Sequence, residues 1–274
     1  MKLESTQVAV ITGAGSGIGL ALARAFARRG LGVVLADIDQ ASAESAAQLI
    51  RAEGGVAHAI QADVTDAAAM DALAAQTIAR MGRCDVLCNN AGVAPPQAWF
   101  LDHELAAWRW TIDVMLMGAV HGVRAFLPHL IERGTGHVVN TASLAGLVPI
   151  PLVAPYCAAK YAVVGMSECL ADELRTQAPG IGVSVLCPGW VETGLAATSA
   201  RNRPADLAPA PVQPTLPAEV VKELQDRSGV MRSAATVAAM TLDAIETNRM
   251  HIHTHGDLHL KIRERLFGSA PGRP

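Results

Sequence analysis

Short apolar runs rich in β-branched residues recur along the chain, and Ala-rich segments with helical periodicity separate them. Most of the apolar runs are continuous rather than alternating, which is typical of strands buried on both faces of a parallel sheet. Seven runs are predicted to be strands: Val8–Thr12, Gly32–Asp37, Val56–Gln61, Asp85–Asn89, His137–Thr141, Val183–Cys187 and His251–Thr254.

The segments between these strands have the periodicity of helices that pack one face on a core. The predicted helices are Gly19–Arg29, Ala41–Ala52, Ala67–Met81, Glu104–Glu132 and Tyr156–Thr176. Strands that alternate with helices form right-handed βαβ units. The pattern therefore predicts the α/β class, with one doubly wound sheet of seven parallel strands flanked by helices, in a single domain spanning residues 1–274.

One stretch interrupts the alternation, from Trp190 to about Ala234. It holds five prolines, which are Pro204, Pro209, Pro211, Pro214 and Pro217. A long irregular insertion in a compact domain is usually either a lid over a ligand or disordered. We interpret residues 190–234 as a substrate lid.

Composition narrows the classes of function. The 274 residues are 51% apolar, with a net charge of −3 and no basic block, so nucleic acid is not an expected partner. No apolar run approaches the roughly 20 residues that span a bilayer, and the first residues lack a signal-peptide pattern, so we expect a cytoplasmic protein without a membrane partner. Five cysteines are interpreted as reduced, packed thiols: Cys84, Cys88, Cys157, Cys169 and Cys187.

A glycine-rich turn follows the first predicted strand and opens the first helix. Gly13, Gly17 and Gly19 form a GxxxGxG pattern, whereas Ile18 occupies the place of the last glycine in GxGxxG. A diphosphate requires backbone N–H donors at a helix start, and residues without Cβ allow its close approach. The turn, including Ser16, is predicted to bind a dinucleotide; the alternative is a tight strand-to-helix turn without a ligand.

The ends of the next strands carry candidate contacts for the rest of the nucleotide. Asp37 can accept both hydroxyls of an adenosine ribose, and its neighbour Ile38 offers no positive charge for a 2′-phosphate, so NAD is favoured over NADP. Asp37 could instead be a strand-end cap. Further candidates are Asp63 and Val64 for the adenine, and Asn90, Ala91 and Gly92, whose small size lets a cofactor cross the strand ends.

Tyr156 and Lys160 are four residues apart, which places them on one face of a helix. A phenol has an unperturbed pKa of about 10, and a neighbouring ammonium favours the phenolate. Tyr156 could then take the proton of an alcohol, or return it to a carbonyl oxygen. Ser143, just after the fifth strand, could hold the same oxygen.

With these motifs in order, the chain resembles the short-chain dehydrogenase/reductase (SDR) family over nearly its whole length. The resemblance also rests on Pro188-Gly189, followed by Val191 and Thr193. It implies a Rossmann-type sheet, direct hydride transfer without a metal, and a homodimer or homotetramer packed through the helices near 104–132 and 156–176. It further implies that Lys160 holds the nicotinamide ribose, Val191 meets the carboxamide, and Thr193 meets the carboxamide or phosphate.

One position departs from the family pattern. The family carries an Asn in the fourth helix, thought to hold a water that links the Lys to solvent, and Met115 occupies that position here. A thioether is a poor hydrogen-bond partner. Either the backbone carbonyl of Met115 holds the water and activity is reduced but real, or the relay is broken and the enzyme is weak.

The segments expected to bound the substrate pocket are apolar or small, among them Ala94, Ala145 and Trp190. They indicate an uncharged, fairly hydrophobic secondary alcohol or ketone as a small-molecule substrate, with a steroid, terpenoid or dihydrodiol as the runner-up. Each of these residues is individually as consistent with core packing.

Two alternatives stay open. His251, His253 and His255 alternate, so a metal site is conceivable there, but strand or interface histidines are favoured and no metal is predicted. The whole chain could also be a dinucleotide-binding redox sensor without useful catalysis, a hypothesis that only Met115 favours.

Overall fold

The computed structural model describes residues 1–205, 207, 214–219, 221–222 and 229–268, apart from the side chain of Arg265. Seven parallel strands form its central sheet, in the order β3-β2-β1-β4-β5-β6-β9. They are β1 (Val8–Thr12), β2 (Gly32–Asp37), β3 (Ala57–Gln61), β4 (Val86–Asn89), β5 (Gly136–Thr141), β6 (Ile181–Cys187) and β9 (His251–His253). The predicted sheet is confirmed, with boundaries that differ by at most two residues.

A second, two-stranded sheet pairs β7 (Val191–Glu192) with β8 (Arg232–Ser233). The pairing is parallel, with Val191 opposite Arg232. It brings together the two ends of the insertion that the sequence analysis placed at 190–234. Part of that insertion, at 206, 208–213, 220 and 223–228, lies outside the described residues.

Helices cover both faces of the main sheet. Their bounds are α1 (Gly17–Arg28), α2 (Gln40–Ala52), α3 (Ala67–Met81), α4 (Leu105–Ile112), α5 (Gly118–Arg133), α6 (Ala154–Gln177), α7 (Leu195–Arg201), α8 (Ala234–Glu246) and α9 (Leu258–Phe267). Side-chain caps start several of them, as where the Asp39 carboxylate accepts from the N–H groups of Ala41 and Ser42 at the start of α2.

A hydrophobic core lies on each face of the sheet and packs it against the helices. On one face, Leu22 and Phe26 of α1 pack with Ile245 of α8, and on the other Phe126 and Leu130 of α5 pack with residues of α3. The strands between them are buried on both faces, which explains why their sequences are continuously apolar. This packing holds the carboxyl ends of the strands at one edge of the sheet.

The helix predicted at 104–132 is a continuous helical segment, Leu105–Arg133, interrupted by a π-helical turn at Asp113–Met117. By length and composition alone this segment could cross a membrane, a test that core helices also meet. Here α5 packs on α3, and α4 packs on α6.

All five cysteines are free thiols. Cys84, Cys88, Cys157 and Cys187 are buried, as expected, but Cys169 on α6 is exposed, so its interpretation as a packed thiol was wrong. The apolar neighbours of Cys169 along the chain misled, because on a helix the adjacent residues point to other faces.

Candidate active site

A cavity of about 350 Å³ lies at the carboxyl ends of the strands and is lined by residues from the glycine turn to the segment after β6. Nearly all the predicted cofactor contacts line it: Gly13, Ser16, Gly17, Ile18, Asp37, Ile38, Asp63, Val64, Asn90, Ala91, Gly92, Tyr156, Lys160, Pro188, Gly189, Val191 and Thr193. Gly19 does not line it. The topology thus gathers at one place residues as far apart in sequence as Gly13 and Thr193, because parallel strands end at the same edge.

Close packing within the protein explains several of the glycines in the turn. Gly13 and Gly17 have φ of 62° and 55°, which favours glycine. A Cβ on Gly13 would lie 2.8 Å from the Cα of Ala91, and one on Gly19 would lie 2.2 Å from the carbonyl oxygen of Gly13. Gly19 therefore lets the helix start press against the turn, and a Cβ on Gly17 would lie 3.3 Å from the Thr193 side chain.

The Asp37 carboxylate is oriented by two backbone groups. Its Oδ2 accepts from the N–H of Gly15 at 2.9 Å, and its Oδ1 accepts from the N–H of Asp39 at 3.1 Å. The carboxylate is thereby held between the end of β2 and the glycine turn, with lone pairs left for a ribose. In the described lining of this cavity the only cation is Lys160, and Arg201, outside this lining, pairs with the Asp39 carboxylate at 3.8 Å.

Thr12 joins the first and fourth strands beneath the cavity. Its Oγ1 accepts from the N–H groups of Asn90 and Ala91 at 3.0 and 3.1 Å, and its carbonyl oxygen accepts from the Asn90 side chain at 3.0 Å. These bonds fix the segment that carries Asn90, Ala91 and Gly92. From sequence, Thr12 is predicted only as the last residue of the first strand.

The three predicted catalytic residues meet in the same cavity. Ser143 follows β5, and Tyr156 and Lys160 stand on the first two turns of α6. The Lys160 Nζ donates to the carbonyl oxygen of Thr141 at 2.7 Å and lies 5.7 Å from the centre of the Tyr156 ring. The helical spacing therefore brings phenol and ammonium to one side of the fold.

Burial shifts the pKa values of Tyr156 and Lys160 in opposite directions. It raises the pKa of Tyr156, while a hydrogen bond with Ser143 acts against that rise. Burial also lowers the pKa of Lys160 to about 8, because the charged ammonium loses solvation. At neutral pH the residues by themselves hold a neutral phenol beside an ammonium, so a further positive charge is needed before the phenolate dominates.

Met115 forms part of the wall next to these groups. It is 2% exposed, belongs to the π-helical turn, and packs with Val93, Ala159 and Tyr156. A Cβ on Gly92 would lie 3.7 Å from the Lys160 Nζ and 3.8 Å from the Met115 sulfur, so the thioether and the ammonium flank the same glycine. π-Turns are often found at functional sites, and nothing in residue composition marks this one.

A second cavity of about 420 Å³ adjoins the first at Ser143, Pro188, Gly189 and Trp190. Its other described lining residues are Gln97, Leu144, Ala145, Ile150, Pro151, Leu152, Leu216 and Val221. None of these carries a charge. Of the three predicted pocket residues, Ala145 and Trp190 line this space, whereas Ala94 is not among the described lining residues of either cavity.

The start of the insertion closes over the first cavity. Leu195, Thr198 and Asn202, in or next to α7, line it. The buried Ser199 Oγ donates to the carbonyl oxygen of Leu195 at 2.6 Å and accepts from the N–H of Ala94 at 2.8 Å. The Ser199 contact, missed from sequence because it spans 105 residues, ties the start of the insertion to the backbone of Ala94.

The alternating histidines have separate partners. His251 Nε2 lies 2.8 Å from a Glu168 carboxylate oxygen, and the His253 ring centre lies 4.2 Å from that of His259. His255 bonds to a backbone carbonyl oxygen instead. Over the described part of the chain, no group of three or more His, Cys, Asp or Glu side chains is arranged to hold a metal ion.

A cavity at the carboxyl ends of parallel strands, lined by a glycine turn, a phenol and an ammonium, is typical of a dinucleotide-dependent oxidoreductase. The chain belongs to the short-chain dehydrogenase family, whose model matches residues 7–204. This confirms the resemblance derived from the motifs.

Relatives show how far the similarity extends. Probable oxidoreductase EphD of Mycobacterium tuberculosis is 42% identical over 195 residues, which are 71% of this chain but 32% of that protein. The chain therefore matches about a third of that relative's length. A 1-deoxy-11-beta-hydroxypentalenate dehydrogenase of Streptomyces exfoliatus is 34% identical over 265 residues, covering 95% of this chain and 87% of the relative.

Among solved structures, a short-chain dehydrogenase/reductase from Burkholderia phymatum in complex with NAD superimposes with a TM-score of 0.87. It is 36% identical, and the match covers 100% of this chain and 99% of that one.

Proposed function

We propose that this protein is an NAD-dependent oxidoreductase that interconverts an uncharged, fairly hydrophobic secondary alcohol and the corresponding ketone. The observation that carries the proposal is the meeting of Ser143, Tyr156 and Lys160 in one cavity with the glycine turn and Asp37. An apolar second cavity opens beside Ser143.

Two features of the groove fit NAD: the glycine turn and the carboxylate of Asp37. At Gly17 the missing Cβ allows a close approach, since a Cβ there would lie 3.3 Å from Thr193, and the fixed Asp37 carboxylate suits the two free hydroxyls of an adenosine ribose. When bound, NAD supplies the hydride acceptor and NADH the hydride donor. The similar Burkholderia phymatum protein was solved in complex with NAD.

The other predicted contacts that line the groove are assigned to the remaining parts of NAD. Asp63 and Val64 hold the adenine, and Asn90, Ala91 and Gly92 form the floor. At the other end, Lys160 holds the nicotinamide ribose, with Val191 at the carboxamide and Thr193 at the carboxamide or phosphate. Ser16, Ile18, Ile38, Pro188 and Gly189 complete the walls.

Proton transfer is assigned to Tyr156. In alcohol oxidation its phenolate takes the hydroxyl proton, and in ketone reduction its phenol returns a proton to the carbonyl oxygen. The Ser143 hydroxyl hydrogen-bonds the same oxygen and limits its movement. The Lys160 ammonium, with the positive charge of an oxidised nicotinamide, lowers the cost of the phenolate against the burial that raises its pKa.

The second cavity favours a neutral, bulky substrate. Its described lining is apolar apart from Gln97 and Ser143, so a carboxylate or phosphate would be desolvated there without a cation. Ala145 and Trp190 bound it, and the insertion at 190–234 serves as the lid. A steroid, terpenoid or dihydrodiol suits its volume as the runner-up to a simpler alcohol.

We also propose a cytoplasmic homodimer or homotetramer acting on a small molecule without nucleic acid or membrane. The resemblance to the family supports this, with the helices near 104–132 and 156–176 as the subunit contact. Sedimentation of the purified protein tests the assembly.

The central experiment mixes the protein with NAD and a panel of secondary alcohols and follows absorbance of the reduced nicotinamide. Tyr156→Phe is expected to lower turnover by about a thousandfold or more, since a general acid or base contributes 10²–10⁴-fold. Tyr161→Phe, the other tyrosine of the chain and also on α6, is the matched control and is expected to stay active.

A second candidate is a redox sensor that binds NAD without turnover, and Met115 beside Lys160 is the observation that favours it. Tight NAD binding, no turnover with any alcohol or ketone, and identical behaviour of Tyr156→Phe would support the sensor. Turnover that depends on Tyr156 would exclude it.

A further inference from the structure

The peptide group between Pro188 and Gly189 is held at both of its ends. Its carbonyl oxygen accepts from the N–H of Leu144 at 2.6 Å and from the Ser143 Oγ at 3.4 Å. Its N–H, on Gly189, donates to the Thr254 Oγ1 at 3.1 Å. The orientation of this peptide is therefore set jointly by the segment after β5, which carries Ser143, and by the residue that follows β9.

Thr254 is itself held by the next residue. Its side chain is almost fully buried, and its Oγ1 lies 2.8 Å from the His255 Nδ1, while the His255 Nε2 lies 2.7 Å from the carbonyl oxygen of Val230. A carbonyl oxygen only accepts, so the Nε2 carries the hydrogen, and in a neutral ring the Nδ1 then accepts from the Thr254 hydroxyl. The three hydrogen bonds run in one direction, from Gly189 to Val230.

The far end of this network belongs to the lid. Val230 lies two residues before Arg232, whose N–H donates to the carbonyl oxygen of Trp190 at 2.9 Å in the β7–β8 pair. A Cβ on Gly229, where φ is +74°, would lie 2.5 Å from the His255 Cδ2, so the returning chain passes directly over the imidazole. His255 thus connects the end of the insertion to the peptide beside Ser143.

We propose that Thr254 and His255 are positioning residues, which orient the Pro188–Gly189 peptide and through it the Ser143 hydroxyl and the Trp190 wall. This inference rests on the proposed function. Without the Thr254 hydroxyl, the N–H of Gly189 loses its partner, and an unsatisfied buried donor is unfavourable. Rotation of the peptide toward another acceptor would carry the Pro188 carbonyl oxygen away from Ser143.

The test compares Thr254→Val, which keeps the shape and removes the hydroxyl, with Thr254→Ser, which retains the hydroxyl. Thr254→Val is expected to lower kcat about tenfold and leave the KM for NAD within about twofold, because an unmade buried hydrogen bond has an effect of this size. Thr254→Ser is expected to keep most of kcat. The control is Thr241→Val, another buried threonine whose hydroxyl bonds within α8, and it is expected to leave kcat unchanged.

His255 is tested by His255→Phe, which fills the space under Gly229 without an acceptor for Thr254. A kcat lowered about three- to fivefold is expected, because the Thr254 hydroxyl can still accept from Gly189. Wild-type kcat in both His255→Phe and Thr254→Val would overturn the proposal.

A double-mutant cycle separates positioning from general loosening. In a Ser143→Ala background, Thr254→Val is expected to lower kcat by less than about twofold, since residues that act through one group are not additive. Full additivity of the two changes would overturn the proposed route through Ser143.

A readout without turnover uses amide hydrogen exchange of Gly189, measured by NMR on labelled protein. Exchange is expected to be about tenfold faster or more in Thr254→Val and unchanged in Thr254→Ser, since protection follows the hydrogen bond. If the wild-type protein turned over no alcohol, the proposed function would fail. Unaltered exchange in Thr254→Val would still overturn the positioning proposal, and faster exchange would support its structural part.

Discussion

Replacing Met115 with asparagine should raise turnover while lowering stability. Met115 lies in the cavity wall across Gly92 from the Lys160 Nζ, for which one hydrogen bond, to the carbonyl oxygen of Thr141, is present among the described residues. An amide at position 115 would bring a polar group beside an ammonium that has capacity for further bonds. A proton leaving Tyr156 would then have a polar path toward solvent.

The magnitudes follow from burial and from the strength of such a bond. Met115 is 2% exposed and packs with Val93 and Ala159, so its loss should lower the free energy of unfolding by about 2–3 kcal/mol. At about 2–4 °C per kcal/mol this lowers Tm by about 4–12 °C. A hydrogen bond to a charged group contributes about 1.5–3 kcal/mol. If half of that acts on the transition state, turnover rises about three- to tenfold.

The assay measures kcat with a substrate from the alcohol panel, below the Tm of the variant, together with its thermal unfolding. Met117→Asn is the matched control, because it lies on the same π-helical turn but is 36% exposed. Unchanged or lower kcat in Met115→Asn, with NAD binding intact, would refute the reasoning about the proton path. A gain in Met117→Asn would show that the turn, rather than the polar group, limits turnover.

Three other predictions address acid stability, the cofactor and the lid. Burial lowers the pKa of His137 to about 3 from 6.5, so below pH 6.5 the unfolded chain takes up a proton that the folded protein does not. The free energy of unfolding should therefore fall by about 2 kcal/mol between pH 6.5 and pH 5. Urea unfolding at these two pH values checks this, and His137→Gln should remove that share of the loss. Asp37→Ala combined with Ile38→Arg should raise the NADP-to-NAD ratio of kcat/KM about a hundredfold by exchanging a repulsive carboxylate for a cation, and steady-state kinetics with a constant ratio would contradict it. Ser199→Ala should raise the KM for the alcohol about three- to tenfold, because the N–H of Ala94 loses its acceptor. Unaltered KM values would show that this contact does not contribute to substrate binding.

The sheet could be predicted from sequence because each strand carries its own signal. Continuous burial on both faces leaves no alternation, and the boundaries of β1 and β2 agree residue for residue with the apolar runs. The placement of Tyr156 and Lys160 on one side likewise needed only the helical repeat. Such patterns can be recognised in the sequence because each depends only on residues that are close together along the chain.

Contacts between distant segments could not be predicted in this way. The π-helical turn at Asp113–Met117 and the preceding helix α4 both pack on α6, and no residue type marks the turn. The bond from the N–H of Ala94 to the Ser199 hydroxyl joins residues 105 positions apart, so no local pattern indicates it. The bond from Gly189 to Thr254 joins residues 65 positions apart and is visible only once the fold is formed.

The short pairing of Val191 with Arg232 makes the insertion a nearly closed loop whose two ends leave the domain side by side. Residues between these ends can change in length or identity while the strands that hold the nucleotide keep their register, since lengthening a closed loop has only a slowly growing entropic cost. The insertion, proposed above as the substrate lid, is therefore a segment suited to exchange: grafting the corresponding segment of a relative between the two strands should transfer substrate preference and preserve the cofactor site.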